Sequence, residues 1–445
     1  TGYFRPLPVS SDSLIAFRYR AKGFQPVMIA DEPIYDVAAI RFLGQEIVDR
    51  HPIVKDWMLG SPLDVEIDTT AFEPFDYRGL RDVRLGTVYP ILEVYKDRVA
   101  YGVRLNFQDP MWLHGIDLTA SYTPSPSGTL ADDETPHITL KYDHWPWTVK
   151  GTVNRADFYD FFGPTKTARR GYSVGLKYDG VFTTDRPRKA GYWLASEYWS
   201  NLETLPDAQN IAASFSELLY IGANINFRSM RRTIGGVEPE KGIRLDMNGM
   251  VNRVPRGQGE FPRYWVDLDY GFLLPWDHSS VWLRGSTGKS HGDRDEPFAN
   301  FFFGAFGNNW VDHQAVSRYR SYYSFPGIEI NEAGGITYAK LMLEWTMPPL
   351  RFARLGVPRF YTTWAHLKFF ATGLTTNFDD ARYRTNHVNF GAQIDFKTVI
   401  FATMSSTLSF GYATAVTFNS EIDRLMFNEA SQKQTYEFMI SLKIL

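Results

Sequence analysis

The sequence predicts an all-β protein, a 16-stranded antiparallel transmembrane β-barrel with a small N-terminal periplasmic extension. Three observations lead there. Apolar and polar residues alternate from about residue 86 onward, in runs of about nine to twelve residues. The runs are even in number, with short and long links taking turns between them. No stretch reads as a spanning helix. Strict alternation places one apolar and one wet face on an extended chain. Runs of this length suit a tilted strand crossing a bilayer, which needs about 9–11 residues, whereas soluble sandwiches use shorter strands. Only helices and closed barrels satisfy the backbone in lipid.

Residues 1–85 differ from the rest and read as a periplasmic extension. Ser13 to Ile29 reads as a short hairpin broken at Lys22-Gly23, and Ile40 to Leu59, with His51-Pro52 inside, as a helical or mixed connector. The chain starts at Thr1 without a methionine or signal peptide, as a mature or partly covered protein would.

Residues 86–445 read as the barrel. In Arg98 to Gln108, Val99, Tyr101, Val103, Leu105 and Phe107 share one face, and Arg98, Gly102, Arg104, Asn106 and Gln108 the other. Leu341, Leu343, Trp345 and Met347 likewise oppose Lys340, Glu344 and Thr346. Strand centres fall near Ile91, Val103, Leu118, Leu140, Thr152, Val174, Leu194, Ile221, Leu245, Leu268, Trp282, Leu343, Ala365, Ala392, Leu408 and Ile440. Tight links such as His144–Trp147, Pro275–Ser279 and a break at Ser405-Ser406 follow even-numbered strands. Long polar links such as Pro124–Pro136, Ala156–Arg170, Thr372–Asn386 and Asn419–Gln434 follow odd-numbered ones. That rhythm expects external loops, periplasmic turns and both barrel ends in the periplasm. Lys96–Arg98 is short for a loop, and Ser229–Lys241 is long for a turn.

Composition excludes several functions. With 47 basic and 50 acidic side chains and a net charge of −3, nothing points to nucleic acid. Aromatics make up 16% of the chain, a level that suits membrane interfaces. Without cysteine, disulfides and thiolate chemistry are excluded. The uncharged stretch Val399 to Phe418 nearly has a spanning helix's length, but Ser405, Ser406, Thr407, Ser409 and Gly411 interrupt it. Histidines lack metal spacing, and no nucleophile elbow or phosphate loop occurs. We therefore expect no enzyme and no cofactor. Asp132-Asp133-Glu134 and Asp293-Arg294-Asp295-Glu296 could bind calcium but suit solvated loop charge better.

The candidate functional element is the long link over residues 291–337, expected to enter the lumen. Its segment FFFGAFGNNWVDHQAVSRYRSYYSFPG (301–327) is too rich in Gly and Asn for a helix and too aromatic for a solvated loop. Gly304, Gly307, Arg318, Arg320 and Tyr322 are its marked residues. A guanidinium in the lumen needs carboxylates. Glu344 on the next strand is the first partner expected for Arg320, with Asp267 and Asp269 as alternatives.

This arrangement resembles the bacterial surface antigen family, the outer-membrane insertase and two-partner-secretion translocator barrels. Phe303-Gly304-Ala305-Phe306-Gly307 is similar to the Gly-rich lead-in of that family's sixth external loop. Arg320-Ser321-Tyr322 stands where Arg-Gly-aromatic is expected, with serine replacing glycine. Tyr338 to Pro348 with Pro349-Leu-Arg-Phe352 resembles the twelfth strand and its proline-marked turn. Tyr436, Phe438, Ile440, Leu442 and Ile444 are similar to a terminal assembly signal, here ending on Leu445. Ala21-Lys22-Gly23-Phe24-Gln25-Pro26 and Asp109-Pro110 resemble parts of a TolB-like β-propeller blade. The resemblance implies insertion or translocation of proteins at a Gram-negative outer membrane, with outer-membrane lipid and a periplasmic or surface protein as partners. No POTRA repeats are visible. A passive pore and a structural barrel anchoring a complex are the alternatives.

Overall fold

The computed structural model describes residues 3–10, 12–20, 23–30 and 76–445, apart from 96–97, 126–129, 157–168, 202–215, 256–258, 296–298, 308–310, 313–315, 402, 420, 422–431 and 445. The chain divides into two compact units, Thr1–Arg78 and Gly79–Leu445.

The first unit carries a three-stranded antiparallel sheet of β1 (Tyr3–Ser10), β2 (Ser13–Arg20) and β3 (Gly23–Ala30). The β2–β3 ladder runs from Ser13↔Ala30 to Arg20↔Gly23, so it ends beside the expected break. β1 went unread because Pro6 and Pro8 argue against a strand. They are tolerated on an edge, where one side of the backbone has no ladder to supply. The connector expected over Ile40–Leu59 lies outside the described residues.

The second unit opens with β4 (Arg84–Tyr95), β5 (Arg98–Gln108), β6 (His114–Tyr122), β7 (Pro136–His144) and β8 (Trp147–Arg155). β9 (Arg169–Thr183), β10 (Arg188–Trp199), β11 (Leu218–Arg231), β12 (Lys241–Val254), β13 (Gly259–Leu273) and β14 (Ser280–Ser290) follow. The long link holds three short pieces, β15 (Phe301–Phe303), β16 (Val311–Asp312) and β17 (Ala333–Gly335). The last strands are β18 (Thr337–Thr346), β19 (Leu350–Val357), β20 (Phe360–Thr376), β21 (Thr385–Ile400), β22 (Met404–Phe418) and β23 (Gln432–Ile444).

Sixteen of these strands make the wall, each antiparallel to its neighbour in sequence, and the sheet rolls into a barrel with β4 and β23 as its first and last members. All sixteen expected strand centres fall on wall strands. β14 pairs directly with β18, so the link between them leaves the wall and returns to it. Two further strands belong to the same sheet. β19 lies on the edge of β20 that β18 also uses, pairing from Leu350↔Ala365 to Val357↔Phe360. The expected turn at Pro348-Pro349 is therefore only an interruption. Proline cannot donate to the ladder, but the strand resumes beyond it and turns at Pro358-Arg359. β16 pairs in parallel with Leu442 and Lys443 of β23. Because β22 occupies the other edge of β23 over its full length, β16 lies at the seam facing β4.

The expected break at Ser405-Ser406 also moves. The strand ends earlier, where the Thr403 N–H meets the Ile400 carbonyl at 3.3 Å, and Ser406 is a fully buried wall residue whose hydroxyl lies 2.5 Å from that of Thr398. These hydroxyls imitate a turn in sequence but belong to the wet face of a strand.

Candidate functional site: a loop clamped inside the barrel

The loop starts from a small antiparallel stalk in which Phe301, Phe302 and Phe303 pair with Gly335, Gly334 and Ala333. Alternation turns Phe301 and Phe303 the same way. Both are buried, with Phe325 and Ile328 of the loop, against Tyr338 on β18, Leu374 on β20 and Ala415 on β22. Tyr322 leans on this cluster, its ring centroid 5.2 Å from that of Trp265. A second cluster forms further along. Phe306 and Tyr319 pack on Met342, Phe370 and Ala413, with Tyr319 stacked on Phe370 at 4.5 Å. The aromatic residues are thus the loop's own core, laid on the inside of the wall.

Two glycines permit the close approach. A Cβ on Gly304 would stand 1.9 Å from the carbonyl oxygen of Glu329, and one on Gly327 (φ +102°) would stand 2.8 Å from Cβ of Ala415. Wall side chains then take up loop backbone groups. Glu437 on β23 accepts the N–H of Phe306 at 3.2 Å and that of Gly327 at 3.0 Å. Asn389 donates to Pro326 O at 2.7 Å. The buried ammonium of Lys340 donates to the carbonyls of Ser321, Tyr322 and Ser324, at 2.8, 3.1 and 2.5 Å. Three carbonyls fill the three donors of a lysine.

Arg320 closes the clamp from a single 3₁₀ turn, Arg318–Arg320. It grips Glu344 with two parallel hydrogen bonds, Nε at 2.8 Å and Nη2 at 2.6 Å, and Nη1 reaches Glu238 at 2.7 Å. Both neighbours continue the pairing. Glu344 meets Arg284, Arg284 meets Asp269 at 2.8 Å, and Asp269 lies 3.7 Å from Arg244, which also holds Asp246. Glu238 meets Lys368, which meets Asp395 at 2.7 Å and the Ser317 hydroxyl at 2.7 Å. One chain of alternating charge thus runs from β12 through the loop to β21. Burial disfavours the Arg320 charge, but Glu238 and Glu344 outweigh it and hold the guanidinium well above its ordinary value. Burial likewise pushes the Glu238 carboxyl up, yet Arg320 and Lys368 leave it below the usual carboxylate range.

Of the residues marked in sequence, Gly304, Arg320, Tyr322 and Glu344 come together around the clamp. Gly307 sits beside Arg318 and Ser324, and the Arg318 carbonyl accepts from the Ser324 hydroxyl at 2.9 Å. Asp269 joins the chain one step away through Arg284, and Asp267 lines a cavity of about 470 Å³ beside the loop with Arg244, Arg320, Tyr322 and Lys340. Neither aspartate takes Arg320 directly. Of the acidic loop residues, Asp133 and Glu134 pair with Arg170, and in the second run it is Arg294 that pairs, with Asp379 and Asp380. Glu296 lies outside the described residues. Sequence reading missed Glu238, Lys368, Lys340 and Glu437. The excess length of Ser229–Lys241 was the available signal for Glu238, since that link, which would only need to turn, instead reaches into the lumen.

The outer surface reverses the usual order of a protein. Glu344 and Lys368 are fully buried, whereas Leu194, Ile225, Leu341 and Leu343 are about half exposed (52, 51, 54 and 51%) on the outward positions of their strands. Such an apolar outside is stable only where the solvent is itself apolar. The chain is a membrane-spanning β-barrel. No protein-family model matches it, and no curated protein sequence does. Solved structures similar to it include BamA from Haemophilus ducreyi lacking POTRA domains 1–3, 10% identical, over 82% of this chain and 70% of that one, with a TM-score of 0.43. CdiB from Acinetobacter baumannii is 11% identical over 82% of this chain and 60% of that one, TM-score 0.37. The outer membrane channel DcaP of Acinetobacter baumannii is 11% identical over 83% and 99%, TM-score 0.34. Likeness at this level assigns no function.

Proposed function

We propose that this barrel is an outer-membrane protein of the insertase or translocator type, acting on polypeptides, with its turns and N-terminal unit on the periplasmic side. The observation that carries the reading is the clamp of Arg320 between Glu344 and Glu238. It holds an aromatic loop across the lumen by ion pairs, an arrangement suited to a plug that can be released and unsuited to a standing pore. The pairing of β16 with β23 adds to it, because it shows a seam edge accepting an extended backbone, as a client strand would require. The role asks for no catalytic group and no cofactor.

The test is reconstitution of the full chain in lipid vesicles, followed by addition of an unfolded outer-membrane barrel chain. Faster client folding than in empty vesicles is the expected result, with client cross-links to β23. The charged cavity beside the loop supports a second reading, a gated pore. No acceleration, together with large steady currents from the intact protein in planar bilayers, would replace the first reading by the second.

A further inference from the structure

Three cations end the outward face at the turn side of adjacent strands. Arg231 closes β11 and Lys241 opens β12, and the ladder sets them directly opposite each other. Residues so opposed share a face, and like charges in that position repel. That face is the outer one. Met230 lines the luminal cavity and Arg228 lies 3.9 Å from luminal Asp246, so alternation turns Arg231 outward. Arg188 on β10 stands opposite Ser229, hence diagonal to Arg231 on the same face, at about 7–8 Å by ordinary sheet geometry. Among the described residues, none of the three cations makes an ion pair.

Their depth is set by what precedes them on that face. Phe227 stands opposite Ala190 and Ile225 opposite Tyr192. The ring of Tyr192 lies 5.0 Å from that of Phe182, which is 63% exposed. Two strands further on, Tyr270 and Phe272 are also exposed. Aromatic rings at a strand end mark the membrane interface. The cations come next along the strands, where lipid phosphates lie.

We propose that Arg188, Arg231 and Lys241 form a binding site for the phosphate of an anionic phospholipid in the leaflet at the turn end of the barrel. A phosphate between Arg231 and Lys241 converts a repulsive cross-strand pair into two attractive contacts. The inference takes its leaflet from the orientation proposed above and is independent of the insertase or translocator role.

The test uses the full chain refolded into phosphatidylcholine vesicles with and without phosphatidylglycerol, reading the thermal unfolding midpoint and, by native mass spectrometry, retained lipid. Phosphatidylglycerol should raise the midpoint of the unmodified protein. It should fail to do so for Arg188→Gln/Arg231→Gln/Lys241→Gln, whose apparent affinity should fall roughly a hundredfold. In phosphatidylcholine alone that variant should be at least as stable as the parent, which shows that it folds. Arg382→Gln, in an external loop, should respond like the parent. An equal response of the triple variant would overturn the site. A midpoint rise with inorganic phosphate, poly-glutamate or lipid A, in place of phosphatidylglycerol, would overturn it too, pointing to a free anion, an acidic protein or the opposite leaflet.

Discussion

Arg320 is held by two carboxylates that belong to different parts of the barrel, one on the wall and one on a turn. Removing one member of a buried pair typically costs about 3–5 kcal/mol, because the other is left charged and unpaired. Arg320→Ala and Glu344→Ala should each lower stability by an amount of that order. The double mutant should cost less than their sum, since the second change removes the orphan left by the first. Urea titrations of the reconstituted protein measure this, and additive effects would contradict the clamp. Glu238 gives a pH dependence. Its folded-state affinity for protons is lowered, so its contribution is fully present above the ordinary carboxylate range, about pH 4, and is lost as pH falls through the lower folded value. Acidification below about pH 4 should loosen the loop, read as increased cleavage by an acid-active protease. Glu238→Gln should show that cleavage already at neutral pH. At this scale the sequence revealed the contact nearest along the chain. Glu344 could be named because it follows the loop, whereas Glu238 meets Arg320, and Lys368 meets Glu238, through folding that no local pattern records.

Lys340 ties the loop as an element, because its ammonium gathers the carbonyls of the turn at 321–324. Lys340→Met keeps the length of the side chain but leaves three carbonyls without their donor. Hydrogen bonds to charged groups contribute about 1.5–3 kcal/mol each, so the turn should detach while the wall persists. The expected outcome is new proteolytic cleavage near Tyr323 in a barrel whose circular dichroism is unchanged. Deleting residues 308–323 takes the same change to completion. The intact protein should give small or intermittent currents in planar bilayers, and the deletion larger steady ones. Wall strands were legible because a run of ten residues with a period of two is hard to imitate. β15, β16 and β17 are two or three residues long and carry no period to read. β19 was hidden by Pro348-Pro349, which mark a turn in most sequences but here only interrupt a ladder that the edge of β20 sustains.

For the molecule as a whole, each wall strand is laddered to its neighbour in sequence, so local opening breaks ladders that lipid cannot replace. The protein should remain folded in mild detergent at room temperature and migrate differently on gels before and after boiling. A mobility indifferent to boiling, or a helical spectrum, would contradict the barrel.

The double acceptor on the last strand has a consequence in time. Glu437 holds the backbone at Phe306 and Gly327, more than a hundred residues earlier in the chain. Those amides have no such acceptor until β23 takes its place beside β22. Glu344, Lys340 and Asn389 can hold their parts of the loop earlier, but its seating is complete only once the final strand has arrived. An assembly intermediate lacking β23 would leave those two amides without Glu437, recognisable by faster proteolysis near Phe306 and Gly327.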